Sequence, residues 1–104
     1  MEIKRGWATD YGKNRFDVSA DETDLLRILA ENGFEDPVKT AAAMKSSDVM
    51  QVLDAELMIY VHFTLSKHEV PKRDDHLADM KRFRGERDAI LAKYRPSAEP
   101  GPDA

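Results

Sequence analysis

The chain contains no cysteine. This absence excludes disulfide bonds, catalysis by a thiolate and zinc sites built from cysteine ligands, and it fits a reducing compartment, so we expect a cytoplasmic location. Long apolar runs are also missing. The longest stretch without a formal charge is residues 57–66, about half of the roughly 20 residues that a membrane-spanning helix needs. Residues 1–10 contain basic side chains with no apolar run behind them, so we expect neither a signal peptide nor a membrane interaction.

Signatures of catalysis and of cofactor binding are absent as well. The five glycines do not form a phosphate-binding loop, and no nucleophile with a base, or pair of carboxylates, follows a spacing typical of an enzyme. A chain of 104 residues closes one hydrophobic core and has little left from which to build a deep substrate cavity. We therefore predict a protein that is not an enzyme and that carries no cofactor.

Acidic side chains are in slight excess, and the charge is unevenly distributed. The 20 acidic and 16 basic side chains give a net charge of −4, which disfavours general attraction to nucleic acids and anionic lipids. Residues 1–71 hold eight basic and thirteen acidic side chains, whereas residues 72–95 hold eight basic and five acidic ones. This pattern predicts an acidic body followed by a basic last helix.

Alternating apolar and aromatic residues near the N-terminus predict a β-hairpin. Ile3, Trp7 and Tyr11 precede a turn signal at Gly12 and Asn14. Because a lone hairpin is marginally stable, this one has to pack on the helices that follow. The residues expected on its inner face are Trp7, Phe16 and Val18.

Helix start and stop signals divide the rest of the sequence into four helical segments. Ser19 and Glu22 have the spacing of a capping box at the first helix start, Gly33 suits the left-handed residue that ends this helix, and Asp36 with Pro37 predicts a second start. Further boundaries are predicted by a cap at Ser46 or Ser47, by Pro71, and by a cap at Asp74 or Asp75. The buried stripes are expected to be Leu25, Leu26, Ile28 and Leu29 in the first helix, and Leu77, Met80, Phe83, Ile90, Leu91 and Tyr94 in the last.

Residues 57–70, LMIYVHFTLSKHEV, form the most apolar stretch of the chain and allow two interpretations. A strand would place alternate side chains on opposite faces, whereas a helix starting at Asp48 would be apolar around most of its circumference. No glycine or proline occurs between Val38 and Val70, so nothing supplies the turn that a strand would need. We therefore predict a helix that lies at the centre of the fold or against another chain. The strip of this helix expected to face water contains Gln51, His62 and Ser66.

These patterns together predict a mainly α protein with a short N-terminal β-hairpin (α+β). We expect a single globular domain over residues 1–95, built as a small bundle of about four helical segments whose last two form an antiparallel pair. Residues 96–104 are rich in proline, alanine and acidic residues. Because they cannot bury apolar surface, we expect a disordered tail.

The apolar central helix and the divided charge are typical of a small non-catalytic module that binds another protein, such as an adaptor, an assembly factor or an inhibitor. Self-association as a homodimer is a further expectation, because oppositely charged surfaces complement each other. The alternative function is an accessory role in nucleic-acid binding through the basic last helix. However, Glu86 and Asp88 follow Arg82 and Arg84 by four residues each, so these carboxylates would neutralise part of the positive charge of that helix. The residues expected to contact the partner are Trp7, Tyr11, Met58, Tyr60, Lys81, Arg82, Arg84 and Arg87.

The histidines offer no metal site of recognised spacing. His62 and His68 would lie about 240° apart around one helix, which excludes a shared ion. The turn before the last helix gathers further ligand types, namely His68, Glu69, Asp75, His76 and Asp79. None of their spacings is diagnostic, so we interpret this corner as a solvated, charged loop and predict no metal, with a metal-dependent site at the corner as the weaker alternative.

Overall fold

The computed structural model describes residues 3–11 and 14–95, with the side chains of residues 9–11 and 14–16 outside that description. Within this part of the chain, two antiparallel strands are followed by four α-helices. Their bounds are β1 Lys4–Tyr11, β2 Asn14–Asp21, α1 Glu22–Glu31, α2 Pro37–Ala43, α3 Ser46–His68 and α4 Arg73–Ala92, with a 3-10 turn at Val70–Lys72. The predicted fold class is confirmed, including the packing of the last two helices on each other. The expected tail, residues 96–104, lies outside the described residues.

The hairpin packs one face on the helices. Trp7 lies opposite Val18 in the antiparallel register, and both side chains are half-buried against the hydrophobic core. Ala20, two residues along the same strand, is buried. Since alternate residues of a strand face the same side, these three positions form the inner face of the sheet.

The turn of the hairpin differs from its prediction. Asn14 pairs with Tyr11 as the first residue of β2, so it belongs to the strand ladder and not to the turn. Gly12, the other expected turn residue, lies outside the described residues, as does the side chain of Phe16.

The N-cap of helix α1 lies two residues after the predicted one, so the capping box expected from Ser19 and Glu22 is wrong. Ser19 is held extended within β2. Asp21 is the N-cap: its carboxylate accepts from backbone N–H groups of the first turn, and the carboxylate of Asp24 accepts from the N–H of Asp21. Two aspartates thus form the reciprocal box that a serine and a glutamate were expected to form.

The corner between α1 and α2 agrees with its sequence signals. Gly33 has a φ of 86°, the left-handed conformation that glycine adopts without steric penalty at a helix end. Asp36 caps α2 by accepting from the backbone N–H of Lys39, with Pro37 in the first turn. The fully buried side chains of α1 are Leu25, Ile28 and Leu29.

Helix α3 confirms the helical interpretation of the disputed stretch, because it runs unbroken for 23 residues and ends at His68, before Pro71. The expected break near Ser46 is present, but the expected serine cap is wrong. Lys45 is the N-cap and makes no side-chain capping bond. The buried residues of α3 are Asp48, Val49, Val52, Leu53, Ala55, Leu57, Val61, Leu65 and Ser66.

The strip of α3 expected to face water is largely covered. Gln51 is exposed, but His62 is half-buried and Ser66 is buried, because α4 packs along this part of α3. The Ser66 hydroxyl donates to the carbonyl of Phe63, so its burial leaves no unsatisfied donor. The large apolar side chains that α3 leaves exposed are instead Met50, Tyr60 and Phe63.

Helix α4 begins earlier than its predicted caps. Lys72 is the N-cap, without a side-chain bond, and Asp74 and Asp75 lie in the first turn. In this position their negative charges interact favourably with the positive end of the helix dipole, and neither residue acts as the N-cap.

The buried stripe of α4 contains Met80, Ile90 and Leu91 as predicted, but Leu77 remains 40% exposed. His76 is buried in its place. In the first turns of α4, His76 therefore faces α3, and Leu77 lies at the edge of the contact between the two helices.

A polar contact fastens the end of α4 to the start of α3. The Tyr94 hydroxyl donates to the buried carboxylate of Asp48, and Lys93 Nζ lies 3.4 Å from the same group. The hydrogen bond from Tyr94, followed by the charge of Lys93, lowers the pKa of Asp48 despite its burial.

Candidate functional site

The helical pair α3–α4 presents a different surface on each side of its contact. One side, called here the basic apolar face, consists of Tyr60, Phe63, Lys67, Val70, Arg73, Leu77 and Arg84. The other side, called the histidine cleft, consists of Gln51, Met58, His62, His76, Asp79, Phe83 and Glu86.

A groove of about 360 Å³ lies on the basic apolar face. It is lined by Phe63, Ser66, Lys67, Val70, Arg73 and Leu77. The apolar members remain open to solvent, with Phe63 44%, Val70 65% and Leu77 40% exposed, and Tyr60, one helical turn before Phe63, is 55% exposed. Neighbouring exposed apolar side chains with polar groups around them are a common mark of an interaction site.

Unpaired cations surround this apolar groove. Lys67 Nζ lies 4.2 Å from the centre of the Phe63 ring, and Arg73 lines the same groove. Arg84 follows Leu77 by seven residues and therefore shares its face of α4. Among the described residues, no carboxylate lies within 4.0 Å of Lys67, Arg73, Lys81 or Arg84. Their charges are therefore available to an acidic ligand.

Arg87, predicted to contact a partner, is used inside the fold. Its side chain is only 14% exposed, and its guanidinium lies 3.0 Å from Glu56 and 3.1 Å from Asp88. Because Asp88 is occupied in this way, the expected pair of Asp88 with Arg84 is not formed. Arg87 therefore ties α4 to α3, and Arg84 keeps its charge free.

Arg82 is also engaged, although it is exposed. Its guanidinium lies 3.8 Å from Glu86, the expected i, i+4 pair, and 3.6 Å from Asp79. The same group covers the ring of Phe83 at 4.4 Å. Arg82 thus belongs to the rim of the histidine cleft and not to the basic apolar face.

The other residues predicted to contact a partner are dispersed. Trp7 is half-buried beneath the hairpin and Met58 is half-buried in the histidine cleft. The side chain of Tyr11 lies outside the described residues. The exposed ones on or beside the basic apolar face are Tyr60, Lys81 and Arg84. Sequence reasoning missed Phe63 and Leu77 as surface residues, because their spacing places them equally well on a buried stripe.

One part of the histidine cleft is a cavity of about 430 Å³. Its lining is Gln51, Asp54, Ala55, Met58, Phe83, Glu86, Ala89 and Ile90. Two hydrogen bonds of 2.9 Å join the carboxylate of Asp54 to Arg5 of the hairpin, which closes one part of the rim. Phe83 lies at the other part and stacks on the ring of His62, with centroids 5.8 Å apart. The cleft therefore leads to a cluster of histidine and carboxylate groups.

That cluster joins both helices. His62 of α3 places its Nδ1 2.9 Å from Nδ1 of His76 and 3.9 Å from Oδ2 of Asp79, both on α4. One ligand atom from each of the three residues lies within 4.8 Å of the others. On its far side, His76 Nε2 lies 2.8 Å from a carboxylate oxygen of Glu69. His76 is buried and Asp79 is half-exposed, so the cluster is accessible from one side only.

Burial lowers the pKa of His62, and the positive charges of His76 and Arg82 act in the same direction, while Asp79 opposes them. His62 is therefore a neutral imidazole near neutral pH. His76 Nε2 lies 2.8 Å from a carboxylate oxygen of Glu69, so its N–H donates to that carboxylate and Nδ1 faces His62. The two Nδ1 atoms lie within hydrogen-bonding distance of each other, and the tautomers of the two rings decide which one donates. The cluster can share protons or hold a cation.

Sequence reasoning did not bring His62 and His76 together. A helical wheel relates residues of one helix, whereas these two are 14 residues apart on different helices, with a turn between them. Of the corner considered from the sequence, Glu69, His76 and Asp79 belong to the cluster. His68 and Asp75 are exposed and are not among its ligand atoms.

Comparisons of the chain with protein-family models, with curated proteins and with solved structures found no match. In the part of the chain that the structure describes, no helix combines the length and the apolar character needed to cross a bilayer.

Proposed function

We propose that the protein is a small, non-catalytic docking module that binds another protein through the basic apolar face, in the cytoplasm. The observation that supports this function is the groove of Phe63, Val70 and Leu77, which combines exposed apolar side chains with unpaired cations. Burial of these side chains by a partner would supply affinity, and the cations would select and orient it.

The partner chemistry follows from the two components of the groove. An apolar floor favours leucine-like side chains, and the charges of Lys67, Arg73 and Arg84 favour carboxylates beside them. A groove along a pair of helices commonly accepts the apolar side of an amphipathic helix. We therefore propose an acidic, amphipathic helical segment of another protein as the ligand.

A protein ligand is favoured over a nucleic acid by the charge of α4 itself. Residues 73–92 carry five basic and five acidic side chains, and Arg82 and Arg87 are paired with carboxylates. A phosphate backbone would meet these carboxylates as well as the free cations, which weakens its attraction. Pairing of two copies through this face would oppose Lys67 and Arg73 with their own equivalents, so like charges disfavour a homodimer formed here.

The test uses a designed peptide with leucine at i, i+3, i+4 and i+7 and glutamate elsewhere, labelled with a fluorophore. Binding to the full chain is measured by fluorescence anisotropy. We expect saturable binding that is at least about tenfold weaker in the double variant Phe63→Ala, Leu77→Ala, because each truncation removes buried apolar contact. Val38→Ala is the matched control, since Val38 is an exposed apolar residue of α2 at 66% exposure.

Three comparison ligands show whether the binding is specific for an acidic helical peptide. A peptide of the same composition in scrambled order, the leucine peptide with lysine in place of glutamate, and a short DNA duplex are titrated in parallel. Equal binding of the scrambled or lysine peptide would contradict a charged helical ligand. Stronger binding of the duplex, lost with Arg84→Ala and steeply dependent on salt, would replace protein docking by the nucleic-acid function.

A further inference from the structure

We propose that His62, His76 and Asp79 form a binding site for one divalent transition-metal ion, with zinc as the ion that the ligands fit best. The site lies at the end of the histidine cleft, on the side of the helical pair away from the basic apolar face. It is independent of the docking function, because none of its residues lines the docking groove.

The geometry is close to that of a tetrahedral site. Zinc binds histidine nitrogen and carboxylate oxygen at roughly 2.0–2.2 Å, which places two ligand atoms of a tetrahedron roughly 3.3 Å apart. The two Nδ1 atoms are 2.9 Å apart, and His62 Nδ1 lies 3.9 Å from Asp79 Oδ2. These two separations lie within roughly 0.6 Å of the tetrahedral value, and the ligand atoms of all three residues lie within 4.8 Å of one another. Side-chain rotations therefore suffice to bring the three ligand atoms around one ion.

Glu69 supplies the orienting contact that metal-binding histidines normally have. Its carboxylate accepts a hydrogen bond from Nε2 of His76 at 2.8 Å, which turns Nδ1 towards His62. Carboxylates in this position fix the tautomer of the ligand and raise its basicity. Glu69 is thus a positioning residue and not a ligand.

The ligand set determines the class of ion. Two imidazole nitrogens and one carboxylate oxygen are typical of zinc and of neighbouring divalent transition metals, whereas calcium and magnesium need mainly oxygen ligands. When a neutral His62 binds the ion through Nδ1, its one ring proton is carried on Nε2, so this histidine releases no net proton. Three protein ligands leave a fourth position for water. Asp79 is half-exposed, so an ion can enter beside it.

The first experiment titrates the full chain with zinc chloride by calorimetry and with cobalt chloride by visible absorption. We expect one zinc per chain, and intense cobalt bands of a tetrahedral or five-coordinate centre, because six-coordinate cobalt absorbs only weakly. Absence of saturable zinc binding, or only the weak bands of six-coordinate cobalt, would overturn the proposal.

The second experiment locates the ion. His62→Gln and Asp79→Asn, whose side chains are only partly buried, should each weaken zinc binding at least about tenfold, and Glu69→Gln should weaken it about tenfold through His76. His68→Gln removes an exposed histidine six residues along the same helix and should leave the affinity unchanged. Equal losses in His68→Gln and His62→Gln would show binding to surface histidines in general and would overturn the site. Unchanged affinity in Glu69→Gln would overturn the role given to Glu69.

Discussion

The two sides of the α3–α4 pair are built from the same helices and nevertheless differ in chemistry. On the basic apolar face, Phe63 and Leu77 are exposed, and the cations around them have no carboxylate partner in the part of the chain that the structure describes. In the histidine cleft, the arginine and carboxylate groups pair with each other, and two histidines meet across the helix contact. Among the described residues, the same pair of helices therefore leaves its charges unpaired on one side and pairs them within the fold on the other.

The largest effect on stability is expected from the arginine that α4 uses internally. Arg87→Ala removes charged hydrogen bonds to Glu56 and Asp88 from a side chain that is 14% exposed, so we expect the free energy of unfolding to fall by about 2 kcal/mol. Chemical denaturation measures this change. Arg84→Ala, three residues earlier and unpaired, is the control and should change stability by no more than about 0.5 kcal/mol. Equal effects of the two variants would contradict the division of α4 into a paired and an unpaired side.

A crossed binding experiment tests whether the two sides are independent. The variant Phe63→Ala, Leu77→Ala should lose about tenfold in affinity for the acidic peptide, equivalent to about 1.4 kcal/mol, while its zinc affinity stays within about twofold. His62→Gln should show the reverse, since distant sites without shared partners act additively. Anisotropy and calorimetry measure the two affinities on the same preparations. Loss of both ligands in either variant would show that the face and the cleft are one site.

The smallest effect is expected at a position that belongs to neither side. Gly85 lies exposed within α4, a Cβ there would meet nothing within 4 Å, and its φ is not positive. Gly85→Ala should therefore raise the free energy of unfolding by about 0.5–1 kcal/mol and leave both affinities unchanged. Gly33→Ala, at a φ of 86°, is the contrasting substitution and should destabilise the protein. Thermal unfolding of both variants measures the difference, and a stabilised Gly33→Ala protein would contradict this assignment.

Much of the fold was predictable because the residues that start and end its helices act on the backbone locally. Gly33, Asp36 with Pro37, and the absence of helix breakers before Val70 act within a few residues, and the structure agrees with each. The capping error at the start of α1 occurred where two local solutions compete. Asp21 with Asp24 has the same spacing as Ser19 with Glu22, and only the strand ladder that includes Ser19 decides between them.

The candidate surfaces were less predictable for a physical reason. Leu77 has the spacing of a core residue, but whether it is covered depends on where α4 crosses α3, and that crossing buries His76 instead. Likewise, the sequence does not distinguish Arg87 from Arg84. Arg87 contacts Glu56 on α3, whereas Arg84 contacts no carboxylate of the described residues. Contacts across helices set these differences, and a single sequence does not encode their geometry in any local spacing.

By itself, the sequence determined a hairpin followed by four helices, the left-handed turn at Gly33 and an unbroken apolar helix, because backbone preferences and apolar periodicity act over short distances. Only the tertiary structure decided which charges are paired, which apolar side chains stay exposed, and that His62 meets His76. These outcomes depend on the axial offset and crossing of α3 and α4, which the packing of their buried side chains sets for the molecule as a whole.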